Sequence, residues 1–155
     1  MEKKAFQDYY SDNLSHCYGC GRLNEHGLKI KSYWEGDISI ATYHPKPFYL
    51  SFPGFVYGGL ITSLIDCHGT GTAAAAAYKK EGREMGTDPE LRYVTASIKV
   101  NFLKPTPINT DLILRGYVKE IKGRKVIVEI TLSAKDEICA DGEVIAVQLP
   151  DSMKL

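Results

Sequence analysis

Surplus charge is the first thing this chain lacks. Lysine plus arginine and aspartate plus glutamate each number 19 in 155 residues, so the formal net charge is zero. Non-specific nucleic-acid binding draws on a basic excess to release counterions, and no separate DNA-binding segment stands in for one, so that class is excluded. Neutrality is compatible with self-association. Cysteine is also scarce: Cys17, Cys20, Cys67 and Cys139 are scattered, which fits reduced thiols rather than a disulfide framework. No apolar stretch follows the early lysines of MEKKAFQDYY, so no signal peptide is expected and the cytoplasm is the expected compartment. No Gly-x-Ser-x-Gly elbow announces a serine hydrolase triad. With no internal repeat, low-complexity tract or linker, residues 1–155 are expected to form one domain, 1–15 being a short extension with at most one helical turn.

Against these absences stands one long run. From Pro53 to Ala77 the chain is apolar with hardly a charge before Lys79, opening on Pro53-Gly54 and the pair Gly58-Gly59. A strand rarely exceeds about ten residues, so the run predicts a helix, and one apolar on nearly all faces must be surrounded by protein. A membrane span of about 20 residues is disfavoured by Asp66, His68, the threonines and the strand-rich sequence that follows. The helix therefore carries one buried carboxylate, Asp66, and a buried carboxylate is costly unless paired, bonded or used.

Strand signals flank the run. Leu28, Ile30 and Ser32 alternate with Lys29, Lys31 and Tyr33, a turn is expected at residues 34–37, and Ile38, Ile40 and Thr42 alternate again, which predicts a hairpin. Four longer strands are expected over 91–103, 111–121, 125–134 and 138–149, with connections short enough to force antiparallel neighbours. One sheet buries one helix only by curling around it, and the open side then needs a cover, which a second subunit supplies.

A single Cys17-x-x-Cys20 pair lies near the start. Structural zinc usually takes four ligands from two such pairs, and His16 and His26 complete a set only on paper. The preferred reading is a glycine-rich turn with two small, partly buried thiols, and neither a metal nor a cofactor is expected. Ser63 and Cys67 are expected to pack the helix. His68, only two positions from Asp66 and on another face, is expected in the core or at a dimer contact rather than in a dyad with it.

Three motifs, in order, carry a resemblance. Gly54-Phe55-Val56-Tyr57-Gly58-Gly59 with Asp66 nine positions after Tyr57 is similar to G-x-x-H-G-G followed by an acid. Thr95-Ala96 with Phe102 and Pro105 is similar to a strand pattern, and Cys17-Tyr18-Gly19-Cys20-Gly21 with Asn24 and Gly27-Leu28 to an N-terminal signature. Together they resemble the phenylacetic-acid-degradation-type (PaaI-like) acyl-CoA thioesterases. That resemblance implies an α+β hotdog fold, a curved antiparallel sheet wrapped around one long central helix. It implies hydrolysis of an acyl-CoA, or of an acyl-carrier-protein thioester, to the free acid and thiol.

Under this resemblance Asp66 is general base or nucleophile, and the amides of Gly58 and Gly59 at the helix N-terminus are the oxyanion hole. The family histidine is Tyr57 here; a phenol keeps a donor but takes no proton near neutral pH. Thr70, one turn beyond Asp66, either orients the carboxylate or bonds back to the i−4 carbonyl. Thr95 matches an assisting polar position. Phe48, Tyr49, Phe52, Phe55 and Tyr57 suggest an apolar acyl pocket with Ser63 nearby, and Lys99, Lys104, Lys122 and Arg124 are candidates for the CoA phosphates. The rival function is a non-catalytic acyl-CoA-binding or regulatory protein, favoured by Tyr57 and opposed by Asp66. Gly58 and Asp66 are eight residues apart, about 12 Å along one helix, too far to serve one carbonyl. Two antiparallel helices across a two-fold axis solve this, so a homodimer with shared sites is expected, with a dimer of dimers (a homotetramer) as the next level.

Overall fold

The computed structural model describes residues 2–153; Met1, Lys154 and Leu155, the ends of the expected 1–155 domain, lie outside the described residues. Six strands form one antiparallel sheet in the order β1-β2-β4-β5-β6-β3. They are β1 Tyr33–Glu35, β2 Ile38–Tyr43, β3 Tyr93–Phe102, β4 Leu112–Lys122, β5 Lys125–Ala134 and β6 Glu137–Gln148, and one helix, α1 Gly58–Lys80, separates β2 from β3. This is the hotdog architecture the motifs imply. Among the described residues no helix is long and apolar enough to cross a membrane.

The alternation in β5 shows how the core is made. Val126, Val128, Ile130 and Leu132 are all but inaccessible, and they meet Leu112 and Leu114 from β4 and Val144 and Ala146 from β6. Each such side chain contributes about 1.5–3 kcal/mol by leaving water. Onto this surface α1 lays Leu60, Ile61, Leu64, Ile65 and the alanines from Ala73 to Ala77. The helix approaches closely because Gly69 has no side chain: a Cβ there would stand 2.6 Å from Val144.

The helix is not covered all round. Gly58, Gly59, Thr62, Ser63, Asp66 and Thr70 are half-buried while the helix residues between them are buried, and the i, i+4 spacing puts them along one stripe. β3 lies at the sheet edge, paired among the described residues with β6 alone. One chain thus leaves open the strip of helix beside its last strand.

Two expectations need correction. Leu28, Ile30 and Ser32 are buried as the alternation demands, but residues 28–32 form no strand. Their backbone bonds go to the N-terminal region instead: Leu28 N–H to Tyr18, Ile30 N–H to Gly19, and Phe6 N–H to the carbonyl of Ser32. The short hairpin starts only at Tyr33, and the turn narrows to Gly36-Asp37, Gly36 adopting φ +61°. Nor are residues 1–15 a mere extension. Short 3-10 turns at Phe6–Tyr9 and Asp12–Leu14 pack there, Ala5, Phe6 and Gln7 are buried, and Phe6 meets Trp34 edge-on with ring centroids 5.2 Å apart.

Candidate active site

Asp66 sits mid-helix on the half-open stripe. Its Oδ1 accepts a 2.5 Å hydrogen bond from Thr95 Oγ1 on β3. The β3–β6 register slips between Thr95 and Ser97, and a bulge of this kind re-aims a side chain out of the regular alternation. Among the described residues Thr95 is the one side-chain donor to the carboxylate. Both residues line a cavity of about 370 Å³ together with Thr70, Arg92 and Cys67.

Thr70 shares that cavity, but its hydroxyl donates to the carbonyl of Asp66 at 2.6 Å. Of its two expected roles, the bond back to the i−4 carbonyl is the one formed, and orientation of the carboxylate falls to Thr95. Arg92 was missed by sequence reasoning. It precedes β3, its side chain is 16% exposed, its guanidinium lies 3.9 Å from Glu90, and its Nε is buried with no hydrogen-bond partner. A lone arginine before a strand carries no sequence signal, since only the fold brings it to the wall of the cavity that Asp66 lines.

The helix entrance lies elsewhere. Tyr57 is the N-cap, with its side chain making no cap bond, and its carbonyl accepts the amides of Leu60 and Ile61. Gly58 and Gly59 therefore hold the first amides of α1, which have no partner within the helix. Gly59 lines a cavity of about 450 Å³ with Phe48, Tyr49, Tyr57 and Ser63, and Gly58 a separate one of about 520 Å³ with Phe52, Phe55, Phe102 and Lys104. Within one chain neither glycine lines the cavity that holds Asp66. Ser63 is tied back to the carbonyl of Gly59 at 2.8 Å.

Among the described residues no basic groove gathers. Lys104 pairs with Glu137 at 3.1 Å on the surface. Lys99 alternates with the core-facing Ile98 and Val100 and so points from the opposite face of the sheet, among Glu129, Asp141 and Glu143. Lys122 and Arg124 flank the β4–β5 turn. Strand alternation and the turn thus set these expected phosphate contacts apart within a single chain.

The cysteine pair is not alone, contrary to expectation. Cys17 and Cys20 meet Cys67 of α1, their sulfurs all within 4.8 Å of one another, and Cys17 and Cys67 are 3.8 Å apart. Bonding from Cys20 and Cys67 holds the Cys17 thiol far below the ordinary thiol range, while Cys17 and burial push Cys20 up against a lowering from Cys67, and Cys17, Cys20 and burial push Cys67 up. All three line the cavity of Asp66.

His68 faces the core. Its Nδ1 is 2.8 Å from Ser32 Oγ and its Nε2 3.0 Å from Ser39 Oγ, and Ser39 also meets Thr72 at 2.6 Å. Gln7 completes the network by donating to Ser32 Oγ and accepting from its amide. Burial lowers the imidazole pKa to about 4, so the ring is neutral.

Residues 53–140 match a family model described as thioesterase superfamily. A thioesterase superfamily protein from Shewanella loihica PV-4 is 46% identical, with a TM-score of 0.69 over 91% of this chain and all of that one. The acyl-coenzyme A thioesterase THEM4 of Rattus norvegicus is 33% identical over 85 residues, 55% of this chain and 31% of that protein, so the match spans about a third of that relative's length. The PaaI protein of the E. coli phenylacetic acid degradation operon shares the fold, with a TM-score of 0.64 at 14% identity over 79% of this chain and 81% of that one.

Proposed function

The chain belongs to the thioesterase superfamily, and from that premise we propose that it hydrolyses acyl-CoA thioesters to the free acid and CoA. One observation carries the reading: the carboxylate of the central helix opens into a cavity and is held there by a single hydroxyl donor, Thr95. Asp66 takes a proton from water as the oxygen adds to the carbonyl carbon, or adds to it directly; either way a tetrahedral oxyanion forms and collapses by expelling the thiolate. On the direct route water then cleaves the acyl-aspartate anhydride to release the acid and restore Asp66. The amides of Gly58 and Gly59 are the donors suited to that oxyanion, reinforced by the helix dipole.

One chain keeps the two halves of this machinery apart, in different cavities about 12 Å along the helix. Two copies with antiparallel helices bring the glycines of one toward Asp66 of the other. The half-buried stripe on α1, the free edge of β3, and the exposed Phe52, Phe55, Phe102 and Leu103 support that arrangement, since a second copy would cover them. The working unit is thus a homodimer with two equivalent sites, one domain per chain. Four free thiols fit a reducing compartment, the cytoplasm.

Thiol release from a panel of acyl-CoAs, wild type against Asp66→Ala, tests the activity. Turnover that depends on Asp66 is expected, whereas binding without turnover overturns the reading in favour of an acyl-CoA-binding protein. The shared site is tested by co-refolding Asp66→Ala with a variant whose Gly58–Gly59 entrance carries bulky side chains. Heterodimers each regain one intact site. Proven heterodimers without recovered activity, or an active monomer, overturn it.

A further inference from the structure

Cys17 and Cys20 converge on one point with Cys67, which lies fifty residues beyond Cys17 in sequence. Four tetrahedral thiolates around zinc, at about 2.3 Å from the metal, place their sulfurs about 3.8 Å from one another. Cys17 and Cys67 stand at 3.8 Å. The remaining separations lie within 4.8 Å, so side-chain rotation of about 1 Å or less brings all three sulfurs to that spacing. A disulfide needs a far shorter separation, about 2.05 Å.

The surrounding backbone brings the three thiols together. The chain reverses between Cys17 and Gly21, whose N–H donates to the carbonyl of Cys17 at 2.7 Å. Gly19 lets the loop close on the helix, because a Cβ there would lie 2.3 Å from Cys67 Sγ. One ligand pair thus comes from a tight loop and the third from a rigid helix, so no loop rearrangement is needed to assemble the set. Neither His16 nor His26 belongs to the cluster, and no carboxylate of the described residues joins it; the Asp66 oxygen is engaged by Thr95.

We propose that Cys17, Cys20 and Cys67 form a zinc site with three thiolate ligands, its fourth corner taken by water or another small ligand from the cavity they share with Asp66. Bound there, the ion fastens the N-terminal loop to α1 at the wall of that cavity. Sulfur ligands select zinc over hard cations such as magnesium or calcium. Metal binding and thioester turnover are separate readouts, so failure of either leaves the other to be judged by itself.

The full-length protein, purified under reductant and stripped with chelator, is titrated with zinc chloride and, in parallel, with cobalt chloride. About one ion per chain is expected, with cobalt giving sulfur-to-metal charge-transfer bands and the intense visible bands of tetrahedral coordination. Cys17→Ser, Cys20→Ser and Cys67→Ser should each weaken zinc more than about 100-fold, beyond what changes outside the ligand shell cost. Cys139→Ser should bind as wild type. Should a variant fail to fold, wild type alone decides: zinc must protect Cys17, Cys20 and Cys67 from alkylation, and chelator must restore their reaction. No bound zinc under reducing conditions, alkylation that zinc does not slow, or zinc retained by all three folded variants each overturns the site.

Discussion

Asp66 and His68 stand two residues apart on one helix in opposite surroundings. His68 is fully buried, with Ser32 on one ring nitrogen and Ser39 on the other, and those serines are bonded in turn to Gln7 and Thr72. Every group in that chain has a partner, so it fixes the N-terminal segment, α1 and β2 in one arrangement and has no hydrogen-bonding capacity to offer a substrate. Asp66 is half-buried, has one side-chain donor, and faces a cavity. The difference teaches that burial of an ionisable residue does not mark chemistry. Unsatisfied capacity beside open space does.

The largest effect that tests this contrast falls on Asp66. Asp66→Asn keeps the shape and should lower kcat by about 10²–10⁴-fold, the range of acid–base contributions, with little change in KM. Steady-state kinetics on the best acyl-CoA of the panel checks it. Near-wild-type kcat in a pure preparation would mean that Asp66 is as structural as His68.

The second effect belongs to His68. Its folded pKa, about 4, lies below the ordinary 6.5, so the unfolded state binds the proton more readily between those values. Stability is therefore fully present above about pH 6.5, falls as the pH drops through the window, and levels off below about 4. The loss amounts to roughly 3 kcal/mol at about 1.4 kcal/mol per pH unit. Urea unfolding at pH 7.5 and pH 4.5, wild type against His68→Gln, isolates this contribution from the carboxylates. Equal pH dependence in both proteins would show that the imidazole is not held neutral.

Much of this was legible in the sequence, and the failures share a cause. The helix, β5 and β6 were placed by length and by period-two alternation, because there the pattern and the backbone pairing agree. At residues 28–32 the alternation was real but the bonds went to Tyr18, Gly19 and Phe6, and side-chain pattern does not report backbone partners. Asp66 stood out as the one carboxylate in an apolar run. Cys67 and Arg92 did not, since each acquires its neighbours only when distant segments meet. The basic residues show the converse: sequence put Lys99, Lys104, Lys122 and Arg124 on or beside strands, but the face each takes is decided by the pairing of those strands.

Thr95 carries the third effect as the positioning residue for Asp66. Removing a hydrogen bond to a charged group costs about 1.5 kcal/mol at the low end, or roughly tenfold in rate. Thr95→Val should lose that much in kcat while Thr95→Ser restores it. The Asp66→Asn background should mask the loss, because the bond then has no charge to hold. A loss that persists in that background, or that serine does not rescue, would assign Thr95 to packing alone.

The smallest effect is expected at Tyr57, where this chain departs from the histidine of its family pattern. Tyr57 is 57% exposed and caps α1 through its backbone, not its side chain. Its ring lies over Gly59, so that a Cβ on Gly59 would stand 2.3 Å from Tyr57 Cε1. The ring thus forms the rim of the entrance cavity, and no side-chain or backbone partner among the described residues engages its hydroxyl. Removing that hydroxyl forfeits at most one hydrogen bond to substrate, so Tyr57→Phe should cost less than about tenfold in kcat/KM. Tyr57→His also keeps a planar ring and should be tolerated. Tyr57→Ala should cost more than Tyr57→Phe, chiefly in KM, because it removes the rim itself. If Tyr57→Phe instead matched Asp66→Asn, the proton chemistry would run through the helix entrance, and the contrast between Asp66 and His68 would no longer locate the active site.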